Sequence, residues 1–356
     1  MNNPQNTPSP PTILDAHVHL WDVRGTPRPV QPLLKLFGWH PKVLHGVARW
    51  AIPAAQRTAL GKLDYALSNY LSHDVNTDTA HHQVKALVHA EAGWHGKEGS
   101  VGETHWLERT ACRAVPPVKA IVAYTDLTSE NVKEILKSHQ QASQAFKGVR
   151  LMLSYSEDKN MVRWCPAPRM ASLPAFRRGY AQLAEFGLSF DAWMYHTQLE
   201  ELIALAKAHP EVPLVLNHLG TPVGIGGPFG PFGHNAAARD EIRRQWLDSL
   251  ARLAELPHVH VKLSGLLMPV CGFGFHQRPT PPTVEEYIER LAPLILPAID
   301  LFGVHRCMFA SNFPMDKVSI TYSTLFDVFS SIVSHFPPAA RHQLFYETAA
   351  SFYRIS

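Results

Sequence analysis

The sequence has few cysteines, no long apolar run and no cluster of basic residues, and each absence excludes a class of protein. Its four cysteines, Cys112, Cys165, Cys271 and Cys307, are far apart and form no C-x-x-C pair. Neither a disulfide framework nor a cysteine-based zinc site is expected, and a reducing cytoplasm fits this usage. No uninterrupted apolar stretch reaches the ~18 residues that a membrane span needs. We therefore expect a soluble cytoplasmic protein.

Neither positive nor negative charge predominates in the sequence. The 356 residues include 33 Lys and Arg against 30 Asp and Glu, mixed along the chain, for a net charge of +3. The sequence has no basic cluster of the kind that binds nucleic acid or an anionic membrane, so neither is expected as a partner. Residues 1–11 have no basic start and no apolar segment, so they predict a disordered arm and not a signal peptide. Residues 12–356 are expected to form a single domain.

Eight short apolar runs predict β-strands, and amphipathic segments between most of them predict helices. The predicted strands are 13–20, 84–91, 118–124, 146–153, 188–195, 212–218, 259–264 and 306–312. The clearest predicted helices are 129–139, 173–186, 198–208, 239–255 and 282–291. Strands that alternate with helices predict a parallel sheet, and eight such units predict an α/β fold of the (β/α)8 TIM barrel type. An open doubly wound sheet is disfavoured because no G-x-G-x-x-G follows an early strand.

Two connections are much longer than the others and predict enlarged loops after strands 1 and 6. The first is rich in proline and tryptophan, and the second, residues 220–234, is rich in glycine, proline and phenylalanine. Both follow the carboxyl ends of strands, which is the catalytic face of such barrels. We expect them to be lids or substrate walls. The apolar residues of the second loop are equally compatible with a subunit interface, so the oligomeric state stays open.

Among 21 histidines, position along the predicted strands selects four. Two H-x-H triplets occur, and residues i and i+2 of a strand share a face. His17 and His19 come at the end of their strand, whereas His258 and His260 come at the start of theirs, on the face associated with stability. His196 and His218 also follow strands. His17, His19, His196 and His218 therefore predict one cluster at the catalytic face.

Residues 14–22 (LDAHVHLWD) resemble the opening motif of the amidohydrolase-related TIM-barrel hydrolases. Further segments resemble the branch that includes sugar-acid and pyrone-dicarboxylate lactonases, and they follow in the same order along the chain. They are 148–150, 190–199, 217–222, 261–266, 308–314 and 348–354. Several motifs in a fixed order are more specific than any one of them.

The resemblance implies hydrolysis at a carbonyl carbon, with the histidines of strands 1, 5 and 6 and a strand-eight carboxylate around one water. In many relatives such histidines bind zinc, while others in the lactonase branch work without a metal. The strand-eight position here is Asn312, where the wider family usually has aspartate. An amide cannot act as a general base and is a weaker metal ligand than a carboxylate.

Three arrangements are compatible with these residues. A divalent metal, most readily zinc, is held by His17, His19 and His196, with His218 as proton acceptor or carbonyl polariser. Alternatively, a metal-free site uses neutral His218 or His196 as base, with Arg150 and Lys262 stabilising a substrate carboxylate and the oxyanion. In the third, Asp316 or Asp22 supplies the missing carboxylate beside Asn312.

The predicted substrate contacts are Arg150 and Lys262, which lie in apolar strands, and the aromatic side chains Tyr195 and Trp21. Two buried cations favour an anionic small molecule as the substrate. We expect a lactonase that opens a cyclic ester of a carboxylated or polyhydroxy compound. The alternatives are a metal-dependent decarboxylase of an unsaturated or aromatic acid on the same barrel, and a binding protein whose catalytic site has decayed.

Overall fold

Eight parallel strands form one sheet in which each strand pairs with its neighbour in sequence. The computed structural model describes residues 10–28, 32, 36 and 40–356. The strands are β1 Thr12–Val18, β2 Gln83–Ala90, β3 Val118–Tyr124, β4 Phe146–Met152, β5 Ser189–Trp193, β6 Leu214–Leu216, β7 Val259–Leu263 and β8 Cys307–Phe309. Every strand overlaps its predicted segment. The predicted TIM barrel is confirmed.

The first and last strands meet just beyond β8. Val18 forms a parallel bridge with Phe313, and the amide of His19 donates to the carbonyl of Phe313 at 2.8 Å. The amide of Asn312 donates to the carbonyl of His17 at 2.9 Å. The barrel is therefore nearly closed, and its closure joins the H-x-H segment to Asn312.

Helices follow the strands and cover the outside of the barrel, except for the four between Pro41 and Asp78, which belong to the long connection after β1. After the first strand they are Pro41–Ala51, Ala54–Leu60, Leu63–Ala66, Ser72–Asp78, Val101–Thr110, Val132–Ala142, Pro174–Glu185, Leu199–Ala208, Ala236–Ala254, Val284–Phe302, Tyr322–Ile332, Pro338–His342 and Thr348–Phe352. A π-helical turn, Gln343–Glu347, precedes the last of them. No helix in the described part of the chain is both long and apolar enough to cross a membrane.

The helix after β7 is longer than the sequence predicts. Its start is fixed by a capping box, in which Thr283 and Glu286 exchange side-chain and backbone hydrogen bonds. The prediction ends at 291 because Pro293 and Pro297 remove hydrogen bonds from a helix interior. The helix nevertheless continues to Phe302, since its second half buries Leu294, Ile295, Ala298 and Ile299. Apolar burial outweighs the two missing hydrogen bonds.

Both enlarged loops are present at the carboxyl ends of their strands. The first contains the four short helices between Pro41 and Asp78, and Trp21 pairs with Tyr70 at its base. The second, after β6, is mostly irregular and contains a bridge between Phe229 and Phe232. Of the predicted N-terminal arm, residues 1–9 lie outside the described residues, and β1 begins at Thr12.

Candidate active site

His17 and His19 meet at the carboxyl end of β1. One residue separates them, so both side chains lie on the inner side of the barrel. Their Nε2 atoms are 3.1 Å apart, and both side chains are buried. Nδ1 of His19 lies 3.0 Å from the carbonyl oxygen of Ala90 and 3.1 Å from that of Glu91. The turn after β2 therefore fixes the orientation of the His19 ring.

The partners of the two rings determine where their protons lie. A carbonyl oxygen only accepts hydrogen bonds, so Nδ1 of His19 carries the proton and its Nε2 is an acceptor. Nδ1 of His17 faces Nζ of Lys262 at 3.2 Å, and an ammonium only donates. His17 is then protonated on Nε2 and donates to Nε2 of His19. The hydrogen bonds are therefore all donated in the same direction, from Lys262 to His17 and from His17 to His19.

Lys262 is paired with Asp191 inside the barrel. Nζ of Lys262 lies 2.7 Å from Oδ2 of Asp191, and both side chains are completely buried. Burial lowers the pKa of Lys262, and the Asp191 carboxylate acts in the opposite direction. The carboxylate also accepts from Nδ2 of Asn217 at 3.0 Å and from the Tyr353 hydroxyl at 3.0 Å. A fully hydrogen-bonded ion pair of this kind is the form in which buried charges are tolerated.

The same network continues to Arg150 and Glu91. Oδ1 of Asn217 accepts from Nε of Arg150 at 3.1 Å, and Nη1 of Arg150 contacts Oε1 of Glu91 at 2.6 Å. The other Glu91 oxygen accepts from the amide of Gly93 at 3.1 Å. Nη2 of Arg150 has no hydrogen-bond partner among the described residues. Arg150 is therefore held rigidly at one edge, with donors left for a ligand.

His218 follows β6 in a left-handed backbone conformation, with a φ of 55°. Its Nδ1 lies 2.9 Å from the Ser264 hydroxyl, and its ring centroid lies 4.6 Å from that of His17. Gly265 packs against the His218 ring so closely that a side chain at Gly265 would collide with it. Strained backbone held by surrounding packing is common at active sites.

The three clustered histidines are neutral. Burial, assisted by nearby cations, lowers the pKa of His17, His19 and His218 well below 6.5. For His17 the strongest cationic contribution comes from Lys262, and for His19 and His218 it comes from Arg150. A neutral imidazole with one lone pair can accept a proton from water.

Asn312 and Asp316 form a pair beyond β8. Asn312 has a φ of 57°, and its Nδ2 donates to Oδ1 of Asp316 at 3.2 Å. Asparagine tolerates this left-handed conformation better than most residues do. Asp316 is buried, and burial raises its pKa to about 7. Of the two carboxylates that the sequence offers for the site, Asp316 accepts from the Asn312 amide, whereas Asp22 accepts from the backbone amides of Arg24 and Gly25.

These side chains surround a cavity of about 620 Å³ at the carboxyl end of the barrel. Its polar lining includes His19, Arg28, Glu91, Arg150, His218 and Asn312. Trp21, Trp164 and Trp193 form aromatic walls, and residues 51–66 of the first enlarged loop contribute a further wall. A cavity of this size with few polar groups suits a small-molecule ligand. The predicted role of the first loop as a substrate wall is consistent with this geometry.

The cavity lining does not include five of the sequence-predicted residues, which are His17, Tyr195, His196, Lys262 and Asp316, nor the alternative carboxylate Asp22. His196 begins a short 3₁₀ turn, where its Nδ1 accepts from the amide of Val223 at 3.1 Å and its ring packs on Phe232. The hydroxyl of Tyr195 donates to the carbonyl of Val162 at 2.9 Å. Lys262 lies beneath His17, within the ion-pair network.

Several cavity or network residues were missed by reasoning from sequence. Glu91 and Asn217 carried a usable signal because they come at strand ends. Asp191 sits within an apolar run, where a single carboxylate indicates a buried partner. Arg28 gave no signal, since it lies in an irregular segment between two prolines.

The arrangement of the cluster argues against a metal held by the H-x-H pair. A histidine that binds a metal through Nε2 carries its proton on Nδ1, usually donating to a carbonyl or carboxylate. His19 meets this condition, but Nδ1 of His17 faces an ammonium. No three histidine, cysteine or acidic side chains in the described ranges are grouped so that they could hold a metal ion. The residues present do not fit the resident zinc that the resemblance implies.

The barrel, the strand-end histidines and the cavity at its carboxyl end define a TIM-barrel hydrolase. Comparison with known proteins identifies the family: the model of the amidohydrolase family matches residues 14–355, and the chain belongs to that family. An uncharacterized protein, y4mH, of Sinorhizobium fredii is 30% identical over 96% of this chain and 98% of its own length. The chain is a hydrolase enzyme.

Two further likenesses concern the lactonase branch and the fold. An L-fucono-1,5-lactonase of Burkholderia ambifaria is 28% identical over 67% of this chain and 71% of its own length. The crystal structure of an amidohydrolase from Burkholderia multivorans with bound zinc superposes with a TM-score of 0.71 at 22% identity, covering 97% of this chain and all of that one. At that identity the superposition shows the fold alone.

Proposed function

We propose that this protein is a lactonase that hydrolyses the cyclic ester of a carboxylated or polyhydroxy small molecule, with His218 as the base and without a resident metal. The observation that carries the proposal is a buried, neutral His218 on the wall of the cavity, beside the partly unpaired guanidinium of Arg150. The likeness to an L-fucono-1,5-lactonase supports a lactone as the substrate class.

The reaction begins with water at Nε2 of His218. In the tautomer that serves as the base, Nδ1 donates to the Ser264 hydroxyl 2.9 Å away, and the Nε2 lone pair is available to accept a proton. As the water oxygen bonds to the lactone carbonyl carbon, His218 takes one of its protons. The carbonyl π electrons move to the carbonyl oxygen. A base in this position typically contributes a factor of about 10² to 10⁴ to the rate.

Arg150 stabilises the oxyanion that forms. Its Nη2 donors have no partner among the described residues, while Nε and Nη1 are fixed by Asn217 and Glu91, so the guanidinium needs no reorganisation during the reaction. The intermediate then collapses, the bond from the carbonyl carbon to the ring oxygen breaks, and protonated His218 returns its proton to the ring oxygen. The products are a hydroxyl group and a carboxylic acid on one open chain.

The His17–His19 pair has a positioning role in this scheme. His19 forms part of the cavity wall. Its ring is held by the carbonyl groups of Ala90 and Glu91 at Nδ1, and at Nε2 by His17, which contacts Lys262. Lys262 thus affects the reaction through the two histidines and not by contact with substrate. Asn312 lines the cavity as a neutral polar group, with Asp316 holding its amide in place.

A panel of sugar-acid and dicarboxylic-acid lactones, followed with a pH indicator, tests the proposal because each ring opening releases an acid. We expect at least one lactone to be hydrolysed with a kcat/KM of about 10⁴ M⁻¹s⁻¹ or more. Stoichiometric carbon dioxide from an unsaturated or aromatic acid would replace the lactonase with a decarboxylase. Tight binding without turnover of any lactone, ester or amide would indicate a binding protein.

A further inference from the structure

Two arginines line the cavity, and each lies against a tryptophan ring. Cζ of Arg150 is 5.6 Å from the ring centroid of Trp193, and Cζ of Arg28 is 4.4 Å from that of Trp21. Arg28 comes from the segment after β1, so the two guanidinium groups reach the cavity from different parts of the barrel. Stacked guanidinium groups are rigid and present their edges to ligands.

Arg28 and Arg150 differ in how the protein compensates their charges. Arg150 has a carboxylate partner in Glu91, at 2.6 Å. Within the described residues, neither Glu91 nor Glu103 forms a hydrogen bond with Arg28. Oε1 of Glu103 accepts from the amide of Ala92 at 3.0 Å. The residues outside the described ranges include no aspartate or glutamate.

Arg28 is nevertheless partly buried. Its Nε is buried and has no hydrogen-bond partner among the described residues. Burial lowers the pKa of its guanidinium. The charges of Glu103 and Glu91 raise that pKa, but neither carboxylate forms a hydrogen bond with Arg28 among the described residues. A buried donor without a partner is destabilising, and more so when it is charged. In a native structure such a group indicates a functional role or a bound water or ion that completes it.

The charges on the cavity wall indicate the missing partner. Of its arginine, lysine and acidic lining residues, Arg28 and Arg150 are positive and Glu91 is negative, so one positive charge remains. Arginine binds a carboxylate through two parallel hydrogen bonds, and the neighbouring tryptophan rings provide flat apolar surfaces.

We propose that Arg28 binds a carboxylate that the substrate carries outside its lactone ring, and so selects anionic lactones over neutral sugar lactones. This assignment rests on the proposed lactonase function and adds the substrate's charge to it. Arg28 acts on binding, while Arg150 and His218 act on the reacting carbonyl. The substrate is therefore a lactone that is already an acid before its ring is opened.

Two measurements test the assignment separately from the reaction. The first is calorimetric binding of glutarate, which has two carboxylates and no lactone bond, compared with neutral glutaramide. We expect glutarate to bind more tightly, and Arg28→Met to lose that preference by about ten- to a hundredfold, since a hydrogen bond to a charged group contributes that much. Methionine keeps an apolar stem over Trp21, and Arg28→Lys should restore part of the preference.

Arg163→Met is the matched control, because Arg163 also lies over an aromatic ring, that of Tyr155, but outside the cavity. It should bind both probes as the unmodified protein does. Equal or absent binding of the two probes by the unmodified protein, or an unchanged preference in Arg28→Met, would overturn the assignment.

The second measurement is turnover of the γ-lactone of hydroxyglutarate, which carries one free carboxylate, and of its neutral primary amide. Arg28→Met should raise KM for the acid about tenfold or more, with kcat and the amide kinetics little changed. An equal effect on both substrates would contradict selection by Arg28. If no lactone is hydrolysed while the glutarate preference still depends on Arg28, the lactonase proposal fails and the carboxylate site stands.

Discussion

The ammonium of Lys262 lies 3.2 Å from Nδ1 of His17. Because an ammonium only donates, this contact places the His17 proton on Nε2, where it points at His19. The same contact removes the lone pair with which His17 would bind a metal through Nε2. One buried lysine therefore separates this site from a zinc-binding H-x-H site, and the predictions below follow from that relationship.

Removing the Lys262 charge should destabilise the protein strongly. Lys262→Met leaves Asp191 as a buried carboxylate without its cation, which lowers the free energy of unfolding by about 3–5 kcal/mol. The double variant Lys262→Met with Asp191→Asn removes both charges and should recover part of that loss. Denaturant unfolding of the unmodified protein, both single variants and the double variant measures the coupling. Strictly additive losses would contradict a paired network.

His218→Asn should remove the base while retaining the local backbone, since asparagine accepts the left-handed conformation of this position. We expect kcat to fall by about 10² to 10⁴ with KM little changed. His258→Asn, in the other H-x-H triplet, is the control and should retain full activity. A His218 variant with near-normal kcat would require another base.

The pH dependence of kcat/KM should reflect the lowered pKa of His218. The base must be neutral, so protonation inactivates the enzyme, and a pKa well below 6.5 moves the acid limb to lower pH. We expect a flat profile from pH 8 down through 6.5. An inflection at the ordinary histidine value would show that the working base is solvated, contrary to the burial of His218.

Asn312→Asp tests what an amide contributes at the strand-eight position. A carboxylate is a stronger zinc ligand than an amide, so we predict higher zinc content after dialysis against equal zinc concentrations. Asn235→Asp is a suitable control, because Asn235 caps a helix away from the cavity and aspartate caps equally well. Unchanged zinc content in Asn312→Asp would show that position 312 lies outside any coordination shell.

Asp316 should make stability decrease as pH rises. Its pKa is about 7 in the folded protein and 3.8 as an unperturbed group, so the folded state holds a proton between these values that the unfolded state has lost. This stabilising contribution is complete below pH 3.8 and is lost as pH rises through 7. Asp316→Asn removes the effect.

The measurement for Asp316 is the difference in unfolding free energy between Asp316→Asn and the unmodified protein at two pH values. Between pH 5 and pH 8 this difference should shift in favour of the variant by about 2–3 kcal/mol, at 1.36 kcal/mol per pKa unit. A shift near zero would mean that Asp316 is ionised throughout that range.

The barrel was predictable from sequence because parallel strands buried on both faces give continuous apolar runs. The run at 118–124 coincides with β3, whereas 212–218 is longer than Leu214–Leu216. The chain leaves the sheet there and turns through Asn217 and His218 into left-handed backbone. A charge within an apolar strand located Arg150, and the strand-eight position located Asn312; both residues line the cavity.

The rest of the site depends on contacts between distant segments. The spacing of His17 and His19 is the same whether their protons point at a metal or at each other, and only Lys262, 245 positions away from His17, decides between these states. His196 follows its strand as His218 does, but it turns toward Val223 and Phe232. Arg28 belongs to an irregular segment whose path no periodicity describes.

The most direct test of a lactonase that works without a resident metal is zinc analysis and kinetics on one freshly purified sample. Zinc content by mass spectrometry and kcat/KM on the best lactone of the panel are measured before and after treatment with a chelator. We predict well under one zinc per chain and an unchanged kcat/KM. One zinc per chain, with activity lost on chelation and restored by Zn²⁺ or Mn²⁺, would contradict the account.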